Sequence, residues 1–300
     1  MIEIGVDFGG TKIEVAALNA DGDFIARIRA PNPGSYDAAM ETVRALVDEV
    51  ESIARETGTV GVGIPGSISP RSGVIRNANT QWLNGRNFTD DLSAVLKKPL
   101  RMANDANCLA LSEVVDGAAC GSRIMFAVVL GTGCGGGLAV NGNLVEGANG
   151  IAGEWGHIPL PWSADDLGEP TSCWCGQRNC LETWISGSGL QRDYEATHGK
   201  TIAGEQIIEL MRSGDLPARA TFERYVGRLG RGLAVVCNLL DPDTIVFGGG
   251  LSNVTEIYST LPTVIRSHVF SDVWDAKLVA ARWGDSSGVR GAARLWRSAQ

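Results

Sequence analysis

Residues 4–18, IGVDFGGTKIEVAAL, decide how the rest of the chain is read. An apolar run reaches Asp7, passes through Gly9-Gly10-Thr11-Lys12 and becomes apolar again. Gly5 and Gly10 have the glycine separation of a P-loop, G-x-x-x-x-G-K-[ST], but Thr11 precedes Lys12, and β-branched and small apolar residues follow. A P-loop opens a helix. This pattern instead predicts a strand over Ile2–Phe8, a glycine turn and a second strand over Lys12–Leu18. Asp21-Gly22 then turns the chain into a third strand over 23–30, giving a meander.

Farther along, apolar residues at helical spacing predict a helix over 38–57, ended by Gly58. A buried strand over 60–64 leads to Pro65-Gly66. A short strand over 100–103 runs into Asn104-Asp105 and a helix that continues to about Asp116. The pattern then restarts, with a strand over 125–130, a glycine loop over 131–137 and a strand over 138–140, followed by a turn at Gly142-Asn143. Residues 203–240 read as helices, 244–247 as a strand before Gly248-Gly249-Gly250, 286–296 as a final helix, and 163–172 as a polar loop.

Three hundred residues suffice for one large domain or two ordinary ones. The repeated strand–glycine turn–strand pattern predicts two similar sheets facing a cleft. A formal charge of −8 argues against a nucleic-acid or anionic-membrane surface as the main partner, while backbone N–H groups can still bind phosphate. The N-terminus has no basic segment before an apolar one, which reads as a cytoplasmic chain with no signal peptide. In that reducing setting seven cysteines are not a disulfide framework.

Both GTGCGG at 131–136 and GVGIPG at 61–66 fit G-x-G-x-x-G, but neither is followed by a helix, so the dinucleotide reading fails. A single glycine turn means no more than hairpin geometry. Three of them, at Gly9-Gly10, Gly131–Gly137 and Gly248–Gly250, each after an apolar strand, predict a cradle whose backbone N–H groups grip a polyphosphate and a base. Thr11, Thr132 and Lys12 would add two hydroxyls and a cation.

Asp105 has two readings, an N-cap or a base that deprotonates a hydroxyl during phosphoryl transfer, kept ionised by the helix N-terminus. Asn104, Glu154 and Glu182 are further polar groups suited to a polyhydroxylated ligand. Cys173, Cys175 and Cys180, with His157 sixteen residues upstream of the first, are either a tetrahedral zinc set or buried free thiols.

Taken together, DFGGTK (7–12), GVGIPGSIS (61–69), NANTQWLNG (77–85), ANDANCLA (103–110), GTGCGGG (131–137), GEWGH (153–157), CWCGQRNCLET (173–183) and DPDTIVFGGGLSN (241–253) resemble the ROK family of bacterial sugar kinases from end to end. GIPGSISP, the NAN…WLNG stretch, ANDANCLA and GDSSGVRGAA are similar to its fructokinase, or manno(fructo)kinase, branch. The resemblance implies an α/β, two-lobed actin-like ATPase (ribonuclease H-like) fold with an active-site cleft between the lobes. The expected small lobe is 1–117 plus 286–300, and the large lobe 118–285.

It further implies an ATP- and Mg²⁺-dependent kinase acting on the 6-hydroxyl of fructose, or of mannose, as a homodimer. A ROK glucokinase or N-acetylhexosamine kinase is the alternative, and a sugar-sensing protein on the same scaffold the non-enzymatic one. By resemblance Asp105 is the catalytic base. Asn104, Asp105, Glu154, His157 and Glu182 contact the sugar, with Gly66 and Asn79 nearby. Asp7, Gly9, Gly10, Thr11 and Lys12 form one phosphate loop, Thr132 and Gly133 the other, and Gly249 and Gly250 lie by the adenosine. His157, Cys173, Cys175 and Cys180 match the ligands of a structural zinc. The family pattern CxCGxxGC has Gly where this chain has Asn179, a residue that tolerates left-handed backbone angles. The family's repressors carry a helix-turn-helix segment before the first strand, which this sequence does not show.

Overall fold

A computed structural model describes residues 1–162 and 170–297. Residues 163–169 of the loop expected over 163–172 lie outside the described residues. The chain divides into two compact units. One comprises Met1–Ser122, Gly137–Ala152 and the chain from Arg282 onward, and the other comprises Arg123–Gly136 and Gly153–Ala281.

The first unit opens with the expected meander, β1 (Ile2–Phe8), β2 (Lys12–Leu18) and β3 (Phe24–Pro31). Helix α1 (Tyr36–Ala54) follows, then β4 (Gly58–Ile64), the short pair β5 (Ser67–Ile68) and β6 (Ile75–Arg76), α2 (Phe88–Leu96), β7 (Leu100–Asn104) and α3 (Asp105–Val115). The sheet order is β3-β2-β1-β4-β7, with β1, β4 and β7 parallel. Their carboxyl ends coincide: Asp7 pairs in register with Gly63, and Ile64 with Asn104. Ligands of open α/β sheets bind beyond such carboxyl ends. Helix α1 buries Met40, Val43, Leu46, Val47 and Val50 against this sheet. It stops three residues earlier than its apolar spacing predicts, because Arg55 turns left-handed at φ 54°.

In the second unit β8 (Ile124–Leu130) leads through a tight turn into β9 (Cys134–Val140). The expected seven-residue glycine loop shrinks to Gly131–Gly133, where Gly131 N–H donates to Gly133 O at 3.1 Å. Gly135, Gly136 and Gly137 are strand residues that permit close packing. A Cβ on Gly137 would lie 2.6 Å from Ala106 O, so glycine permits α3 to pack closely there; the end of β9 and β10 (Asn143–Leu144) belong to the first unit and not to the larger lobe expected to hold them. The turn between β9 and β10 is Asn141-Gly142, at φ 50° and 76°, one residue earlier than expected.

Helices α4 (Glu182–Ile185), α5 (Gly187–His198), α6 (Gly204–Arg212) and α7 (Leu216–Leu240) follow, then β11 (Thr244–Gly248), α8 (Thr255–Arg266) and β12 (Lys277–Ala280). Strand β11 lies parallel to both β8 and β12. The chain returns to the first unit with α9 (Ser287–Arg294). Gly5 and Gly61 let this helix lie directly on the first sheet, since a Cβ on either would come within 1.9 and 2.0 Å of the Val289 and Ala292 carbonyl oxygens.

Candidate active site

In the first unit the site begins at the end of β1. Gly9 N–H donates to Lys12 O at 3.0 Å, closing the turn, and leaves Gly10, Thr11 and Lys12 exposed. Asn32 braces this turn from outside: its backbone N–H donates to Thr11 O and its side chain to Gly9 O, at 2.9 and 2.8 Å. Asn32 carries no motif signal and escapes a sequence reading. Burial pushes the Asp7 carboxyl up from 3.8 to about 6, helped by the negative charges of Asp105 and Glu14 and opposed by Lys12 and Arg29. Glu14 lies opposite Asp7 in register and is paired with Arg27 and Arg29.

The start of α3 separates the two readings of Asp105. The N-cap is Asn104, whose Oδ1 accepts Ala106 N–H at 2.9 Å while its Nδ2 donates to Gly66 O at 2.9 Å. Asp105 is therefore the first helical residue and not the cap, although its Oδ1 also accepts Ala106 N–H at 2.8 Å. The Asp105 side chain reaches solvent, yet the protein packed around it raises its carboxyl above 3.8, against the pull of the Ala106 N–H and the Asn104 side chain. The expected helix-terminus effect is thus outweighed. Gly66 adopts φ 78°, and Asn79 is exposed with its Oδ1 3.3 Å from the Thr80 hydroxyl.

In the second unit Thr132 and Gly133 form the β8–β9 turn. Gly187 N–H donates to Gly131 O at 2.7 Å and Ser188 Oγ to Thr132 O at 2.9 Å, so the start of α5 braces it. Gly249, at φ 81°, packs on Leu130, whereas Gly250 faces open space. Trp155 anchors GEWGH by donating from Nε1 to Gly135 O at 3.0 Å. Glu182 opens α4. Its Oε2 accepts Cys134 N–H at 2.9 Å and its Oε1 accepts the Trp174 indole N–H at 2.7 Å.

His157, Cys173, Cys175 and Cys180 come together, with their ligand atoms all within 4.8 Å of one another. Nδ1 of His157 is 3.7 Å from Cys173 Sγ, and Cys175 and Cys180 Sγ are 3.6 Å apart. Ligands about 2.0–2.3 Å from one tetrahedral zinc stand roughly 3.3–3.8 Å from each other, so the donor set fits that ion. Nε2 of His157 points the other way, 4.0 Å from Glu154 Oε2. Asn179 takes φ 58°, the left-handed angle for which the family uses glycine, and its Oδ1 accepts Thr171 N–H at 2.9 Å.

The fold is that of the actin-like ATPases of α/β class, and the chain belongs to the ROK family, whose pattern matches residues 3–299. It is 39% identical over 296 residues to N-acetyl-D-glucosamine kinase of Pectobacterium atrosepticum, spanning 97% of each chain. The same enzyme of Yersinia enterocolitica is 38% identical, spanning 97% of this chain and 98% of its own. Among solved structures, the ROK hexokinase of Thermus thermophilus superposes with a TM-score of 0.87 at 28% identity, covering 98% of this chain and 97% of its own. The chain is accordingly a phosphotransferase with an alcohol acceptor, of the hexokinase type.

The expected fructokinase branch is not the one to which these relatives belong. Two of the segments behind that expectation serve packing: Gly291 of GDSSGVRGAA touches the Cys108 carbonyl and Gly66 of GIPGSISP touches Arg76 O. Among the described residues, no helix is long and apolar enough to cross a membrane.

Proposed function

We propose that the chain transfers the γ-phosphoryl group of ATP to the 6-hydroxyl of an N-acetylhexosamine, with N-acetyl-D-glucosamine as the preferred acceptor. The capping of α3 by Asn104 carries the chemistry, because it leaves the Asp105 carboxylate open to solvent at the carboxyl end of β7. The end-to-end likeness to N-acetyl-D-glucosamine kinases supports the sugar.

Asp105 accepts the hydroxyl proton as the sugar oxygen attacks the γ-phosphorus in line, an effect typically worth about 10²–10⁴ in rate. In the first unit the sugar-binding groups are Asn104, with Gly66 and Asn79 nearby; those of the second unit are Glu154, His157 and Glu182. The phosphate-binding groups of the first unit are Lys12 and the amides of the Gly9–Thr11 turn; in the second unit they are Thr132 and Gly133, with Gly249 and Gly250 for the adenosine. Mg²⁺ supplies charge neutralisation to the triphosphate. Asp7, whose charge Asp105 and Glu14 repel, is the carboxylate a cation would relieve. His157, Cys173, Cys175 and Cys180 would hold a structural zinc, which would fix the ring orientation of His157 and leave its Nε2 free to meet the sugar.

ADP release with N-acetyl-D-glucosamine, N-acetylmannosamine, glucose, mannose and fructose tests this. The kcat/KM for N-acetyl-D-glucosamine should exceed that for fructose by at least about tenfold, within the range a pocket discriminates. Fructose in first place would return the chain to the fructokinase reading. Binding of a sugar with no phosphorylated product would mark a sensor.

A further inference from the structure

We infer that Trp174 is a positioning residue that sets the Glu182 carboxylate for the sugar, an inference that rests on the proposed role of Glu182. Trp174 lies between Cys173 and Cys175, and 58% of it is exposed. An indole so exposed is anchored only by specific contacts, and this one makes two. Its Nε1–H donates to Glu182 Oε1 at 2.7 Å, and its ring meets the His157 ring edge-on at 5.0 Å and 86°.

The other oxygen of Glu182 is held as firmly. Oε2 accepts Cys134 N–H at 2.9 Å, in the turn that carries Thr132 and Gly133. A Cβ on Gly133 would lie 2.7 Å from that oxygen, so the turn comes this close only with glycine there. The backbone of Glu182 is fixed as well, because Leu181 N–H donates to Ile158 O at 2.7 Å and Thr183 N–H to Cys180 O at 2.9 Å.

A carboxylate offers about four lone-pair directions. Oε2 takes the Cys134 N–H, and Oε1 takes the Trp174 N–H with Cys173 Sγ a further 3.9 Å away, so the plane of the group is set and the remaining directions are fixed. An acceptor held in this way distinguishes the orientation of a sugar hydroxyl, whereas a freely rotating one follows any isomer. Trp174 thereby links the loop of candidate metal ligands to the carboxylate that meets the sugar, without touching the reacting atoms.

The test uses the full chain and the variant Trp174→Phe, which keeps a ring against His157 and loses the N–H donor. The KM for N-acetyl-D-glucosamine should rise about tenfold, the size of one lost hydrogen bond to a charged group. The kcat, the KM for ATP and the zinc content per chain should stay at wild-type values. In ¹⁵N-indole spectra of the eight tryptophans, the resonance missing from the variant should move in wild-type protein when Glu182→Gln is introduced and when sugar is added.

A KM within twofold of wild type, or an indole resonance indifferent to Glu182→Gln, overturns the inference. So does a loss of zinc that accounts for the whole KM change. If the wild type phosphorylates no sugar, the proposed function fails by itself. Calorimetric titration of N-acetyl-D-glucosamine into wild type and Trp174→Phe then judges Trp174: weaker binding by the variant supports it, and equal or absent binding overturns it.

Discussion

Gly288, in the first turn of α9, stands so close to Asp7 at the end of β1 that a Cβ on it would lie 3.3 Å from Oδ2. The final helix therefore forms one wall of the pocket that holds the carboxylate. Gly288→Ala should push Asp7 by a few tenths of an ångström and raise the KM for ATP several-fold, since small misplacements near a reacting centre are costly. Steady-state kinetics with ATP as the varied substrate reads this, and an unchanged KM would separate Asp7 from the nucleotide.

The raised carboxyl of Asp7 has a consequence for stability. Between 3.8, its ordinary value, and about 6, the folded state holds a proton that the unfolded chain has released. Stability tied to this group is thus intact below 3.8 and is lost as pH climbs through 6. Asp7→Asn removes the charge, so it should stabilise the fold at pH 7.5 by about 1–3 kcal/mol and confer nothing at pH 3.5. Thermal melts at the two pH values decide, and an equal gain at both would show that charge is not the cause.

Asp105→Asn keeps the size of the side chain and leaves Asn104 as the cap. With a base removed, kcat should fall by roughly 10²–10⁴. The melting temperature at neutral pH should not fall, because a carboxyl that burial raises is replaced by a neutral amide. Turnover close to wild type would remove Asp105 from the chemistry.

Glu113 is fully buried on α3 and accepts four donors: the N–H groups of Ala118, Arg282 and Trp283 at 2.8, 3.0 and 3.3 Å, and the Ser287 hydroxyl at 2.9 Å. It ties the helix that starts at Asp105 to the segment leading into α9. Glu113→Ala leaves those donors without an acceptor and should cost about 3–5 kcal/mol in chemical denaturation, the sum of several unmet buried groups. A loss below 1 kcal/mol would mean that water replaces the carboxylate.

Cys180→Ser should abolish stoichiometric zinc in protein purified without chelator and lower the melting temperature by several degrees, because ligand binding stabilises only the folded loop. Metal analysis alongside melting checks both. A chain that carries no zinc as wild type would leave Cys173, Cys175 and Cys180 as free thiols beside His157.

Much of this was legible in local sequence. The meander around Asp7–Lys12, the helix after Asn104 and the candidate metal ligands in GEWGH and CWCGQRNC depend on side-chain alternation, turn residues and spacing within about two dozen residues. By themselves they determined strand–turn–strand where a P-loop would have a helix, and with it the class of fold. Only tertiary structure decided what those residues face. Gly5 and Gly61 look like parts of phosphate motifs but are glycines because α9, over two hundred residues later, rests on them. Gly135–Gly137 look like loop and are strand. The cap of α3 is Asn104, because Gly66 O receives its amide. Trp174 reads as filler between two cysteines until the fold brings Glu182 to its N–H. Each of these depends on a contact between distant segments, and such a contact leaves no period or spacing in the chain that makes it.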